Sequence, residues 1–261
     1  MKGVLCAVIG TLGMVHGASA FAGNCVNATL KGTLIAALAK SAAGAPKSTA
    51  FMESWDGRGA LRYVEIDSNG SSTSGPYYGT GTYSISSDCV ATVIYDGDTT
   101  QVYKYFVDED GQGYHWVNNL NIGLVAAGRA ALVSKDLFVD PSTPNKGPCT
   151  LQSLDGTMAF AVEKFVNGVP AASAGQEIYD GAGRVTYRQT NSDGYTTNSF
   201  TGTGTYTMTP GCIASVYYDG STTPFNYFVA PDGSAYWWVN NQNTGVVAAG
   251  MADRVSRPAP R

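Results

Sequence analysis

Three sets of side chains in this chain have types and spacing suited to chemistry. Glu53 and Glu177 each stand two residues before an aromatic, Trp55 and Tyr179. If those rings face an apolar interior, the carboxyl groups do too, and desolvation raises their pKa into the range of a general acid or base. If the glutamates face outward, or bond backbone at the end of the fold, they are structural. Tyr103 and Tyr105 alternate with Lys104, as Phe225 and Tyr227 alternate around Asn226. Each aromatic pair therefore shares one face of an extended strand, either filling a core or giving a pocket apolar walls with hydroxyl handles. His115 is the second of only two histidines, and Arg129 falls where an adjacent strand would bring it alongside. Paired in a pocket they would bind a carboxylate or polarise a carbonyl; with Trp116 turned inward they face solvent instead. For an enzyme, the catalytic candidates are Glu53, His115 and Arg129. The ligand-binding candidates are Tyr103, Tyr105, Phe225, Tyr227 and Glu177.

The elements that must position these groups occur twice, about 124 residues apart, with roughly two in five aligned positions identical. Asp56-Gly57-Arg58-Gly59 answers to Asp180-Gly181-Ala182-Gly183, and Gly79-Thr-Gly-Thr-Tyr83 to Gly202-Thr-Gly-Thr-Tyr206. Tyr95-Asp96-Gly97 recurs as Tyr218-Asp219-Gly220, Trp116-Val-Asn-Asn119 as Trp238-Val-Asn-Asn241, and Ala126-Ala-Gly128 as Ala248-Ala-Gly250. At two positions of interest the copies differ: Trp237 answers to His115, and Met251 to Arg129.

Asp-Gly and Asn-Gly pairs punctuate each copy and suit the positive φ angles of hairpin turns. Between them lie short segments of period-two alternation, in the first copy near 32–41, 47–55, 59–67, 77–85, 90–96, 101–107, 113–119 and 123–132. The pattern predicts an all-β chain of two tandem antiparallel up-and-down β-barrels, each of about eight strands, since closure leaves no edge exposed. The first barrel repeat takes 21–134 and the second 149–256. Residues 135–148, with three prolines, read as a linker, and 257–261 as a disordered tail.

Residues 1–20 read as a secretory signal peptide: Lys2, an apolar run from Val4 to Met14, then Ala18-Ser19-Ala20. Localisation is therefore secreted or periplasmic. The remaining cysteines, Cys25, Cys89, Cys149 and Cys212, admit three pairings. The repeat selects Cys25–Cys89 and Cys149–Cys212, one bridge per copy, formed in an oxidising compartment.

Charged residues are 14% of the chain and the net charge is −4, so no basic track invites nucleic acid. No apolar run is long enough for a membrane helix, and paired cysteines with a proline-rich midpoint argue against an outer-membrane barrel. A single mature histidine and no Gly-x-Ser-x-Gly elbow disfavour hydrolase triads and histidine-bound zinc. Asp108-Glu-Asp-Gly111 lacks the later acid of a helix-loop-helix calcium site. Neither metal nor cofactor is expected.

The repeated motifs—Asp-Gly-x-Gly, then Gly-Thr-Gly-Thr-Tyr with a cysteine six residues on, then Val-Asn-Asn and Ala-Ala-Gly—resemble a family of secreted bacterial allene-oxide-cyclase-like proteins with a calycin-type barrel. The likeness covers nearly the whole mature chain, twice. It implies a small barrel whose interior can hold an apolar molecule, and transfers no catalytic residue of the plant cyclases. Three functions remain open: binding of a small hydrophobic or amphipathic ligand, isomerase or cyclase chemistry in the first barrel, and a structural or surface-interaction role.

Overall fold

The computed structural model describes residues 23–70, 72–117, 124–139, 147–240 and 245–256. The leader and tail expected at 1–20 and 257–261 lie outside the described residues. The first copy forms β1 (Lys31–Ala42), β2 (Ala45–Asp56), β3 (Ala60–Ser68), β4 (Thr73–Ile85), β5 (Val90–Tyr95), β6 (Tyr103–Val107), β7 (Gly113–Val117), β8 (Leu124–Val125) and β9 (Ala127–Ser134). The second forms β10 (Gly156–Val166), β11 (Val169–Tyr179), β12 (Arg184–Ser192), β13 (Thr197–Met208), β14 (Ile213–Tyr218), β15 (Phe225–Val229), β16 (Ala235–Val239) and β17 (Val246–Ser256). Every neighbour is antiparallel, and each copy closes into a barrel when its last stave pairs with its first. In the second barrel β17 is one continuous strand along β10; in the first, that stave is interrupted at Ala126 and arrives as β8 and β9. The alanine-rich Leu34 to Lys40 segment is strand throughout.

The shared motifs fix the walls. Asp56 Oδ1 accepts from the backbone N–H groups of Arg58, Gly59 and Ala60, and Gly57 and Gly59 hold φ of 76° and 121°. The Asp-Gly-x-Gly turn is thus an aspartate-nucleated loop that a β-carbon would strain. In the Gly-Thr-Gly-Thr-Tyr strand, a Cβ at Gly79 would strike the Tyr63 ring and the Asp96 carboxylate, and one at Gly202 the same pair in the second barrel, Tyr187 and Asp219. The bare strand is what lets Tyr63 lie across the wall and donate to Asp96 Oδ2 at 2.6 Å.

One end of each barrel is stoppered. Disulfides Cys25–Cys89 and Cys149–Cys212 tie the segment before each first strand to the turn that follows Gly-Thr-Gly-Thr-Tyr. They hold Leu30 and Leu154, both fully buried, in the barrel floor, where Tyr83 and Tyr206 donate hydroxyls to the backbone of Leu30 and Leu151.

The barrels pack unlike faces against each other. Outward Ile35, Met52, Val64 and Ile66 of the first meet outward Phe228, Trp237, Val239 and Ala249 of the second in one buried cluster. The segment read as a linker contributes to this core: Phe138 and Val139 are buried in it, and Val139 N–H donates to Ser54 Oγ at 3.0 Å. Residues 140–146 of that segment are outside the described set.

This packing accounts for the asymmetry between His115 and Trp237. Equivalent outward positions in the two barrels face different neighbours, so Trp237 is buried against the first barrel while His115 is exposed. Trp237→Ala is therefore expected to cost about 3–5 kcal/mol of stability, whereas His115→Ala should fall within about 0.5 kcal/mol of the parent. Urea unfolding of both variants checks this; equal effects would remove the packing explanation.

Candidate functional site

Inside each barrel a glutamate is held by ring donors from across the lumen. Glu53 projects inward from β2, because Thr49, Phe51 and Trp55 share its parity and line the same interior. Its Oε2 accepts from Trp55 Nε1 at 2.9 Å and from Tyr114 Oη at 2.6 Å, and its Oε1 from Tyr95 Oη at 2.5 Å. Tyr95 also bonds Tyr105 at 2.9 Å. The second barrel repeats the arrangement on β11. Glu177 Oε2 accepts from Tyr179 at 2.7 Å and from Tyr236, its Oε1 accepts from Tyr218 at 2.5 Å, and Tyr218 bonds Tyr227 at 2.8 Å. The rings are braced: Tyr105 stacks on Tyr114 with centroids 4.6 Å apart, and Tyr227 on Tyr236 at 4.4 Å.

The carboxyl groups are almost wholly buried, and their electrostatics follow. Desolvation pushes Glu53 and Glu177 above the ordinary carboxyl value, while the hydrogen bonds from tyrosine, and from Trp55 in the first barrel, pull the other way. Burial next to a carboxyl raises Tyr95, Tyr105, Tyr114, Tyr218, Tyr227 and Tyr236 well above the usual phenol range, so these rings remain neutral donors. With the carboxyl ionised, Tyr95 commits its proton to Glu53 and Tyr105 donates to Tyr95. Tyr105, which lines the cavity, then keeps acceptor capacity on its oxygen. The chain Tyr105–Tyr95–Glu53 can also run in the opposite sense once the carboxyl is protonated, since phenol oxygens accept as well as donate.

Above each clamp lies a cavity. The first, about 280 Å³, is lined by Phe51, Tyr63, Tyr103, Tyr105 and Trp116, with Lys40, Thr49 and Glu65 toward its mouth. The second, about 760 Å³, is lined by Phe160, Tyr187, Phe225, Tyr227 and Trp238, with Lys164, Ser173, Gln189 and Asn191 in the equivalent outer positions. Both lie in or near the range of small-molecule sites. Ala36 pairs with Phe51 across strands, and the same pair in the second barrel is Phe160 with Gly175. The phenylalanine has changed strand yet still meets the cavity tryptophan, with centroids 6.4 Å apart in both barrels.

The structure brings together Glu53 with Tyr103 and Tyr105, and Glu177 with Phe225 and Tyr227, as inward alternation expects. It does not bring His115 or Arg129 to Glu53. Those two are cross-strand neighbours on the outer wall, half-exposed or more, and both lie beside Asp108, at 3.6 and 3.3 Å. Trp116, one residue on, is inward and lines the cavity. The alternation of β7 thus excludes a joint Glu–His–Arg site in the lumen. Sequence reasoning passed over Tyr95, Tyr114 and Lys40 and their equivalents. Tyr95 was visible only as part of a repeated turn motif, and Tyr114 as the residue before His115, although its parity matches Trp116. Among the described residues no cluster of metal-ligating side chains occurs.

Because the folded state holds the glutamate protons more tightly than the unfolded chain, the stability these two groups contribute is fully present below the unfolded value of 4.5 and is lost as pH rises through the raised folded values, whereas the lowered Asp56, Asp88, Asp98, Asp180 and Asp193 act in the opposite sense at lower pH. Glu65, raised by burial and then by Asp67, adds to the same trend. A Tm that declines from about pH 4.5 upward, with a shallower decline in Glu53→Gln/Glu177→Gln, is the expected result of thermal melts. An unchanged slope in the double variant would show that the clamps do not bind extra protons.

No protein-family model matches this chain, and no curated protein is similar to it at a significant level. Among solved structures, the crystal structure of a DUF3598-family protein of unknown function from Nostoc punctiforme PCC 73102 aligns over 87% of this chain and 97% of its own, at 11% identity and a TM-score of 0.26. That likeness is too low to support an argument about either fold or function.

Proposed function

We propose that this is a binding protein that holds a small amphipathic molecule in a barrel lumen. The observation that carries the reading is a cavity, walled by aromatic rings and floored by a polar clamp, repeated in both barrels. Apolar walls with few convergent polar groups are the usual composition of small-ligand sites. The clamp itself favours binding over catalysis. Each glutamate accepts three hydrogen bonds from the protein, so the carboxyl is oriented and largely satisfied before anything enters. The two disulfides and the leader-like first twenty residues support export to an oxidising compartment. In this reading the partner is a small molecule, with neither nucleic acid nor membrane insertion involved.

A second reading, isomerase or cyclase chemistry, is favoured by one observation. Burial raises Glu53 beside a cavity, and the Tyr95–Tyr105 relay connects the carboxyl to the lumen. Such a site would act by moulding a reactive apolar substrate and moving a single proton.

Native mass spectrometry of protein secreted by its own host, followed by extraction, should yield a co-purifying amphipathic molecule. Nile red should be taken up with a blue-shifted emission. Val162→Phe, which projects a ring into the second cavity, should abolish most of that uptake while the fold persists. Failure of the parent to take up the dye, together with an empty extract, would end the binding reading. A recovered ligand that the protein converts to an isomer, with conversion lost in Glu53→Gln, would establish the enzymatic one.

A further inference from the structure

Both barrels place a lysine on the inner face of the first strand, at Lys40 of β1 and Lys164 of β10. Lys40 is fully matched. Its Nζ lies 2.7 Å from Asp67 Oδ1 and 4.0 Å from Glu65 Oε1, and Thr49 donates to the same Glu65 oxygen at 2.7 Å. One cation thus sits with two carboxylates and a hydroxyl.

In the second barrel the lysine is kept, and Gln189 and Asn191 stand where the first has Glu65 and Asp67. These amides keep the shape of the acids and remove both charges. Asn191 Oδ1 is left as a shared acceptor: Lys164 Nζ approaches it at 3.1 Å, Ser173 Oγ at 2.5 Å and Gln189 Nε2 at 2.5 Å. Three donor groups converge on one neutral oxygen, and an ammonium alone carries three N–H bonds. Among the described residues no carboxylate lies within 4.0 Å of Lys164 Nζ. Glu163 is on the opposite face of the strand, and Glu177 is engaged by its three tyrosines. This donor-rich cluster lines the larger of the two cavities.

We propose that the second barrel is specialised for an amphipathic monocarboxylate, whose headgroup seats against Lys164 and Ser173 while its apolar body lies among Phe160, Phe225 and Trp238. The inference rests on the ligand-binding reading and adds the headgroup and the choice of barrel. A single ammonium flanked by neutral donors matches one negative charge, and among the described residues lining the cavity no arginine fork favours a phosphate dianion. The first barrel, whose own acids occupy the equivalent place, would repel the same headgroup. Burial lowers the pKa of Lys164, a penalty that an incoming carboxylate would relieve.

The test uses the full chain and two fluorescent probes that differ only in headgroup, dansyl-labelled undecanoate and its methyl ester. The carboxylate should bind the parent at least about tenfold more tightly than the ester, as expected for a charge-assisted hydrogen bond. Lys164→Met should remove that preference. Gln189→Glu/Asn191→Asp, which installs the matched mouth of the first barrel and so keeps the lysine paired, should also remove it. Conversely, Glu65→Gln/Asp67→Asn should raise carboxylate binding by opening the first barrel to it. Equal affinity for both probes in the parent, or a preference that survives either second-barrel variant, overturns the headgroup assignment and leaves the binding reading intact. Uptake of neither probe overturns the headgroup assignment, and together with no uptake of Nile red and an empty extract it overturns the binding reading as well.

Discussion

A carboxyl group taken out of water into an apolar barrel carries a cost of several kcal/mol unless donors meet it, and both barrels are organised around meeting it. In the first, the donors come from β2, β5 and β7, with Tyr105 of β6 supporting Tyr95. These strands are distributed around the wall, so the clamp forms only when the barrel is closed and every stave is in register. A slip of one residue in β7 would turn Tyr114 outward and bring His115 into the lumen. The carboxyl would then lose a donor at 2.6 Å. The polar clamp is thus a specificity device as well as a candidate site: it penalises misregistered barrels that hydrophobic burial alone would tolerate.

The second organising constraint is that two copies of one barrel pack through unlike faces. Such a heterologous contact does not close on itself, and its free ends are open to further copies. Polar substitution meets this in part. Met52 and Val64 of the buried face become Gln176 and Arg188 in the second barrel, where the side chains bond each other on the surface. On the other buried face only Trp237 changes character, to His115 with Arg129 and Asp108 alongside, while Phe228, Val239 and Ala249 keep their types as Phe106, Val117 and Ala127. Terminal repeats of solenoids solve the same problem in the same way.

Much of the fold could be read from the residues. The strand limits predicted from turn pairs and alternation fall within a few residues of the observed ones, because an Asp-Gly turn and a period-two pattern are local signals. The cysteine pairing followed from the repeat, and the inward faces of Tyr105, Tyr227, Glu53 and Glu177 from parity with neighbouring aromatics. What the residues did not disclose was non-local. That Tyr95 and Tyr114 converge on Glu53 depends on barrel closure, since 42 and 61 residues separate them from it. That His115 differs from Trp237 because of a neighbouring barrel depends on packing between copies. A difference between repeats is equally compatible with a specialised site and with an interface, and only the placement of the outer faces decides between them.

The same comparison of copies locates where change was free to occur. At the clamp, each side chain is held by others: replacing Tyr218 leaves Glu177 short of a donor and removes the 2.8 Å bond to Tyr227, so substitution there needs several coordinated changes. The one difference between the clamps, Trp55 against Tyr179, conserves a donor to the same carboxyl oxygen. In the walls, the Ala36–Phe51 pair and the Phe160–Gly175 pair exchange one ring between facing positions, and packing against the tryptophan is kept. At the mouth, by contrast, Glu65 and Asp67 against Gln189 and Asn191 change the net charge by two with no compensating change at the lysine. Burial makes an unmatched ammonium unfavourable, so the protein alone offers no reason to remove both of its acids. Under the proposed function, a molecule that brings its own negative charge into the lumen would supply that reason.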